Sequence, residues 1–245
     1  MSRFDALTTG REPRWQAGTV DQARRRTVLG LTGLLAGGAA GRVLGQSVGS
    51  CLLTPDSGEG PFYFDPELLR ADITEDAPGA PVELGLQILR AGDCATLVDA
   101  RIDVWHADAL GLYSGYADQP GVGGISTQPA VGRTFLRGTQ FSDADGRAAF
   151  RTIYPSWYGG RTPHIHFKVF LASSEIVAGQ IFFPDEVNRE IFEQWDPYRA
   201  HVSKRRTFND DDMFLVAGAA GGVFADVVRT DDDYRADVVI VVDTG

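Results

Sequence analysis

Residues 82–89 read Val-Glu-Leu-Gly-Leu-Gln-Ile-Leu, with an apolar side chain at every even position. Successive side chains of an extended chain leave opposite faces, so a period of two marks a strand with one face in a core. Outward from it, residues 100–105, 134–141, 148–153, 165–171, 177–183, 223–228 and 238–242 are further short apolar or alternating runs divided by turn residues. Ser142-Asp-Ala-Asp-Gly146, between two of these runs, has the Asp-rich, Gly-ended composition of a hairpin turn. About eight strands in one body predict an all-β sandwich. One short helix is expected over residues 185–194, opened by Pro184-Asp185 with acids in its first turn. Residues 115–132, rich in Gly, Pro, Gln and Ser and without periodicity, read as a long loop.

The 245 residues include 29 glycines, about 12% against a usual 7%, which favours a turn-rich fold. Charge is divided unevenly. Residues 1–45 hold seven Arg against three acids; the rest of the chain carries 16 basic and 30 acidic side chains, a balance of −14. So acidic a body argues against a nucleic-acid partner. Arg24-Arg25-Arg26-Thr27-Val28-Leu29 opens an uncharged run of Leu, Gly and Ala over residues 27–41, about 15 residues where a membrane span needs roughly 20. A basic start, a short apolar stretch and small residues behind it describe an export signal, and the paired arginines resemble the twin-arginine type used for proteins exported folded. The expected organisation is a twin-arginine signal over residues 1–45 and one domain over residues 46–245, destined for the periplasm or the exterior.

Cys51 and Cys94 are the two cysteines. In an oxidising compartment such a pair tends to bridge, and closing a loop of about 43 residues is worth about 4 kcal/mol in the chain-entropy model. The alternatives are two free buried thiols, or lipidation of Cys51 behind the poor lipobox Val48-Gly-Ser-Cys51.

Two of the four histidines form His164-Ile-His166. In a strand, residues i and i+2 share a face, so both imidazoles project together and invite a metal. Glu175 lies nine residues after His166, too far for the cupin pattern, and no cysteine is close. The nearest oxygen donors are Tyr154 and Tyr158. A phenol has a pKa near 10 and binds as phenolate only to a strongly Lewis-acidic ion, which points to ferric iron rather than zinc or copper.

The stretch Thr152-Ile-Tyr-Pro-Ser-Trp-Tyr-Gly-Gly-Arg-Thr-Pro-His-Ile-His-Phe167 resembles the signature of the intradiol ring-cleavage dioxygenases, the protocatechuate and catechol dioxygenase family. Asp103-Val-Trp-His-Ala-Asp-Ala-Leu-Gly-Leu-Tyr-Ser114 is similar to the family's first tyrosine motif, and Thr54-Pro with Glu59-Gly-Pro-Phe-Tyr63 to its N-terminal pocket segment. Phe135-Leu-Arg-Gly-Thr-Gln140, Asp143-Ala-Asp-Gly146 and Gly179-Gln-Ile-Phe-Phe-Pro184 also fit, in the family's order, over about residues 51–215. The resemblance implies a transthyretin-like sandwich and a mononuclear non-haem Fe(III) held by Tyr113, Tyr158, His164 and His166, with water or hydroxide beside them. Tyr154 then falls on a non-ligand position. Arg161 is implied to stabilise negative charge on the ring, Gln180 to orient hydroxide or substrate, and Gly60, Pro61 and Phe62 to line the substrate pocket, with Phe62 standing where many relatives have Tyr. His106 and Asp108 read as structural, and His201 as solvated within a basic patch of Lys204, Arg205 and Arg206.

The implied reaction opens a catechol-type ring between its hydroxyls with O2, both oxygen atoms entering a cis,cis-muconate-type product, with Tyr158 leaving the metal and taking a proton. The implied partners are a small aromatic diol and O2, with no nucleic acid, no membrane anchor once the signal is removed, and room for a homo-oligomer. The competing readings are a non-catalytic, exported binding sandwich and a cupin-type Fe(II) oxygenase; the second lacks its acid.

Overall fold

The computed structural model describes residues 51–65, 67–117, 119, 121–122, 130–216 and 223–245; the expected export signal and part of the 115–132 loop lie outside the described residues. Strands β1 (Pro81–Arg90), β4 (Arg147–Ile153), β8 (Asp226–Arg229) and β9 (Tyr234–Val242) form one sheet in the order β4-β1-β9-β8. The other runs β3-β2-β5-β6-β7, from β2 (Arg101–His106), β3 (Arg137–Phe141), β5 (His164–Leu171), β6 (Ser174–Phe182) and β7 (Val223–Phe224). Helices α1 (Asp185–Gln194) and α2 (Met213–Val216) complete the described elements beside short 3-10 turns. The all-β sandwich expected from the alternation is therefore the fold, and α1 has the expected bounds.

Four boundaries differ clearly from expectation: β6 starts at Ser174 rather than 177, and the other three have a local reason. The run expected over 134–141 starts at Arg137, because Leu136 takes a φ of 57° and cannot continue a strand. The run at 223–228 divides into β7 and β8, which pair with β6 and β9 in different sheets; buried Ala225 is the crossing point, its N–H donating to the Phe182 carbonyl. Strand β9 begins at Tyr234 rather than 238, since Tyr234, Ala236, Val238 and Ile240 keep the period of two while Arg235 and Asp237 take the other face.

Val82, Leu84, Leu86 and Ile88 of β1 pack with Phe150 and with Ile102, Val104, Ile165, Phe167 and Val169 of the other sheet. Gly179 on β6 makes room for this packing, since a Cβ there would stand 2.5 Å from Phe167 Cζ. The odd residues of β5 thus belong to the core, and His164, His166 and Lys168 point to the far side of the sheet. All three are nonetheless buried. Cover comes from the arm around Glu59–Phe64 and the loop carrying Tyr113, while the segment around Asp212 holds Arg161 and Thr162 just ahead of β5. The arm is tied down by the Cys51–Cys94 disulfide, by Thr54 N–H to the Val241 carbonyl, and by Ser57 and Gly58 N–H to the Ala178 carbonyl.

Candidate metal centre

Strand register lines up one row across four strands on the far face: Arg137 opposite Trp105, Trp105 opposite His166, and His166 opposite Gln180. The Trp105 ring lies parallel to His166, centroids 5.0 Å apart, and fixes the imidazole plane. His164 Nδ1 lies 2.8 Å from the Thr162 carbonyl. A carbonyl only accepts, so Nδ1 carries the proton and Nε2 faces the site as a bare lone pair.

Around that lone pair stand His166 Nε2 at 3.1 Å, Tyr158 Oη at 3.1 Å and Tyr113 Oη at 3.3 Å; the two phenol oxygens are 3.3 Å apart. One lone pair cannot serve three neighbours. Donor atoms that each bond a shared ion at about 2.0–2.1 Å are separated by distances of this size, so the two imidazoles and two phenols fit a small cation. Among the described residues no three His, Cys, Asp or Glu side chains gather; the donor set is mixed imidazole and phenol. Burial, aided by the Arg161 cation, pushes both imidazoles well below their usual pKa and keeps them neutral, as ligation requires. Burial also raises the Tyr113 phenol, with Tyr158 adding to the effect. It raises Tyr158 against the opposing charge of Arg161. Only a strongly Lewis-acidic ion would turn both into phenolates.

Tyr113 sits in a loop, and side chains replace the missing ladder. Asp108 Oδ1 accepts the Leu110 and Leu112 N–H at 2.8 and 2.9 Å. Gln119 Oε1 accepts the Tyr113 N–H at 2.8 Å while its Nε2 donates to the Tyr113 carbonyl. Buried Arg137 donates to Ser114 Oγ and to the Ser114 carbonyl at 2.9 and 2.8 Å. His106 bridges the Ala107 carbonyl and Thr152 Oγ1 in the core, and burial lowers its pKa to about 4. Asp108 and His106 therefore act on the backbone, as expected.

Gly60 rests on His166: its φ is 71°, and a Cβ would stand 3.2 Å from His166 Cε1. Phe62 stacks on Tyr113, centroids 4.4 Å apart, and meets Tyr158 edge-on at 6.2 Å, while Pro61 is exposed beside them. Arg161 donates to Asp212 Oδ2 at 2.9 Å and to Gln180 Oε1, and lies 4.3 Å over the Phe214 ring. Gln180 Nε2 is buried without a protein partner. Tyr154 is elsewhere, its hydroxyl donating to Asn188 Oδ1 at 2.8 Å between Phe183 and Phe192.

The basic patch expected at 204–206 does not form. Arg205 turns inward to pair with Asp185 and packs on Phe208, while His201 is half-buried with Nδ1 unpartnered. Sequence reading also missed Trp105, Gln119 and Asp212. Only Trp105 left a signal, through its alternation with Asp103 in β2.

A family model described as Dioxygenase matches residues 58–197, which span every donor of this centre. The chain belongs to the intradiol ring-cleavage dioxygenase family. Among solved structures, the intradiol ring-cleavage dioxygenase from Tetranychus urticae is 28% identical and superposes with a TM-score of 0.70, over 79% of this chain and 95% of that one. The dioxygenase domain of a dioxygenase carbohydrate-binding protein fusion from Streptomyces sp. SirexAA-E is 25% identical with a TM-score of 0.53, over 79% and 99%. Chlorocatechol 1,2-dioxygenases of Cupriavidus pinatubonensis and Burkholderia cepacia are each 30% identical over 145 residues. The match takes in 51% of this chain and 52% of each of theirs, so the chain spans about half the length of these curated relatives.

Proposed function

We propose that this protein is a non-haem Fe(III) intradiol dioxygenase that opens a catechol-type ring between its hydroxyls with O2, giving a cis,cis-muconate-type product. The observation that carries the reading is the gathering of His166 Nε2, Tyr158 Oη and Tyr113 Oη within 3.1–3.3 Å of His164 Nε2, with the two phenol oxygens 3.3 Å apart. These four side chains would hold the iron. Ferric iron, when bound, would supply a Lewis acid that polarises the diol and activates its ring toward O2. Tyr158 accepts one of the two diol protons at Oη as it gives way, and the water or hydroxide expected beside the four side chains takes the other. Arg161, held by Asp212 and stacked on Phe214, faces the negative charge that develops on the ring. Gln180 Nε2 has a hydrogen to give to a substrate oxygen. Phe62, stacked on Tyr113, supplies an apolar wall that keeps water from the ring.

The test is to load the purified protein with iron and record its visible spectrum, O2 uptake and products with catechol, protocatechuate, hydroxyquinol and larger lignin-like catechols. A red-brown tyrosinate-to-iron band and a muconate-type product are expected; colourless protein that consumes no O2 with any of them overturns the reading.

We further propose that residues 1–45 are a twin-arginine export signal and residues 46–245 the exported domain. Fused to a folded reporter, residues 1–46 should carry it out of the bacterial cytoplasm, and replacing Arg25 and Arg26 by Lys should stop this. Undiminished export of the lysine variant counts against the assignment.

A further inference from the structure

Asp212 is fully buried. Its Oδ2 accepts from Arg161 Nε at 2.9 Å and from the Thr162 N–H at 2.8 Å, and its Oδ1 accepts from the Phe214 N–H at 3.0 Å. Each of these contacts leads to the metal centre. The Thr162 carbonyl takes the His164 Nδ1 proton, which turns Nε2 toward the phenols. The Arg161 N–H donates to the Tyr158 carbonyl at 2.7 Å, closing the turn between that phenol and the histidine strand. Phe214, whose N–H is held, carries the ring on which the Arg161 guanidinium lies. Asp212 pairs with no second cation: among the described ion pairs Arg161 is its partner.

We propose that Asp212 is the positioning residue of this site, one buried carboxylate that orients the Arg161 guanidinium, balances its charge beside Tyr158 and sets the backbone from which His164 projects. The inference rests on the dioxygenase reading above. A buried guanidinium without its counter-ion is a large local field. Arg161 is tied to the Tyr158 turn by its N–H and to Asp212 by its guanidinium; a neighbouring carboxylate offsets the pull of that cation on nearby negative charge, so Asp212 keeps the Tyr158 oxygen basic enough to take a proton as it gives way.

The experiment compares wild type, Asp212→Asn, Arg161→Gln and the double variant, all iron-loaded, by visible spectrum, iron content, kcat and KM. Asp212→Asn keeps shape and an acceptor but removes the charge. Stabilising the phenolate should move its charge-transfer band to shorter wavelength with iron content unchanged. A loosened site would instead lose iron and bleach. Misdirecting Arg161 should lower kcat on the order of 100-fold while KM changes much less. In the Arg161→Gln background the asparagine should lower kcat no further, because there is no guanidinium left to orient.

An unmoved band with near-normal kcat in Asp212→Asn overturns the inference, as does an equal further fall in kcat in the Arg161→Gln background. If Asp212→Asn fails to fold, the double variant decides. A folded, coloured double variant assigns the failure to the unpaired guanidinium and supports the inference; an unfolded one overturns it, since the carboxylate then serves the fold. A colourless wild type defeats the dioxygenase reading and this inference together; a coloured wild type with an unmoved Asp212→Asn defeats the inference alone.

Discussion

Tyr158→Phe is expected to shift and weaken the visible band of the iron-loaded protein and to lower catechol turnover by orders of magnitude, whereas Tyr154→Phe should leave the colour intact. The two tyrosines stand four residues apart in one motif and face different surroundings. Tyr158 Oη is 3.1 Å from His164 Nε2, so its loss removes a charged donor, a chromophore and the group that takes the diol proton. Tyr154 donates to Asn188 Oδ1 at 2.8 Å within the core, so its loss leaves a buried acceptor unpaired and should cost about 1–3 kcal/mol of stability. Tyr113→Phe should alter the band as Tyr158→Phe does. Spectra, turnover and urea midpoints of the three variants decide; a bleached Tyr154→Phe beside a coloured Tyr158→Phe would sink the proposed ligand set.

Breaking the disulfide, by Cys94→Ser or by reductant, should lower the unfolding free energy by about 4 kcal/mol, the chain-entropy value for a loop of this length. Cys51 and Cys94 are joined at a sequence separation of 43 with Cα atoms 5.7 Å apart. The bridge ties the arm that leads to Gly60 on His166 and Phe62 on Tyr113, so substrate affinity should fall with stability. Urea unfolding with and without reductant measures the first effect and KM at low urea the second. Coincident unfolding curves would show that the rest of the fold holds the arm unaided. Lys168 is the candidate for such help, since it pairs with Glu59 and Glu175 and lies 4.0 Å over the Tyr63 ring.

The β-sandwich was legible because alternation is a local property. Val82 through Ile88 cannot expose its even face to water without losing the burial of four aliphatic side chains. The divided strand at Ala225 was not legible. Its residues are equally suited to one strand or two: β9 follows β8 directly in a hairpin, but β6, which draws β7 into the other sheet, is distant in sequence.

For the candidate site the division is similar. His164-Ile-His166 by itself places two imidazoles on one face, because the pleat repeats every two residues whatever surrounds it. The same stretch offered two phenols, and residue types alone left the choice between Tyr154 and Tyr158 open. What the sequence determined without help was the sandwich, the helix after Pro184, the paired histidines and a donor chemistry suited to a hard, Lewis-acidic ion. The tertiary structure decided which face of β5 the arm and the Tyr113 loop would cover, and so turned an exposed sheet face into a buried centre. It also decided that Gln119 would clamp Tyr113 and that Asp212 would hold Arg161 across 51 residues. The physical reason is range: strand geometry is set by neighbouring peptide units, whereas burial and charge pairing are set by chain segments that meet only after the sheets have formed.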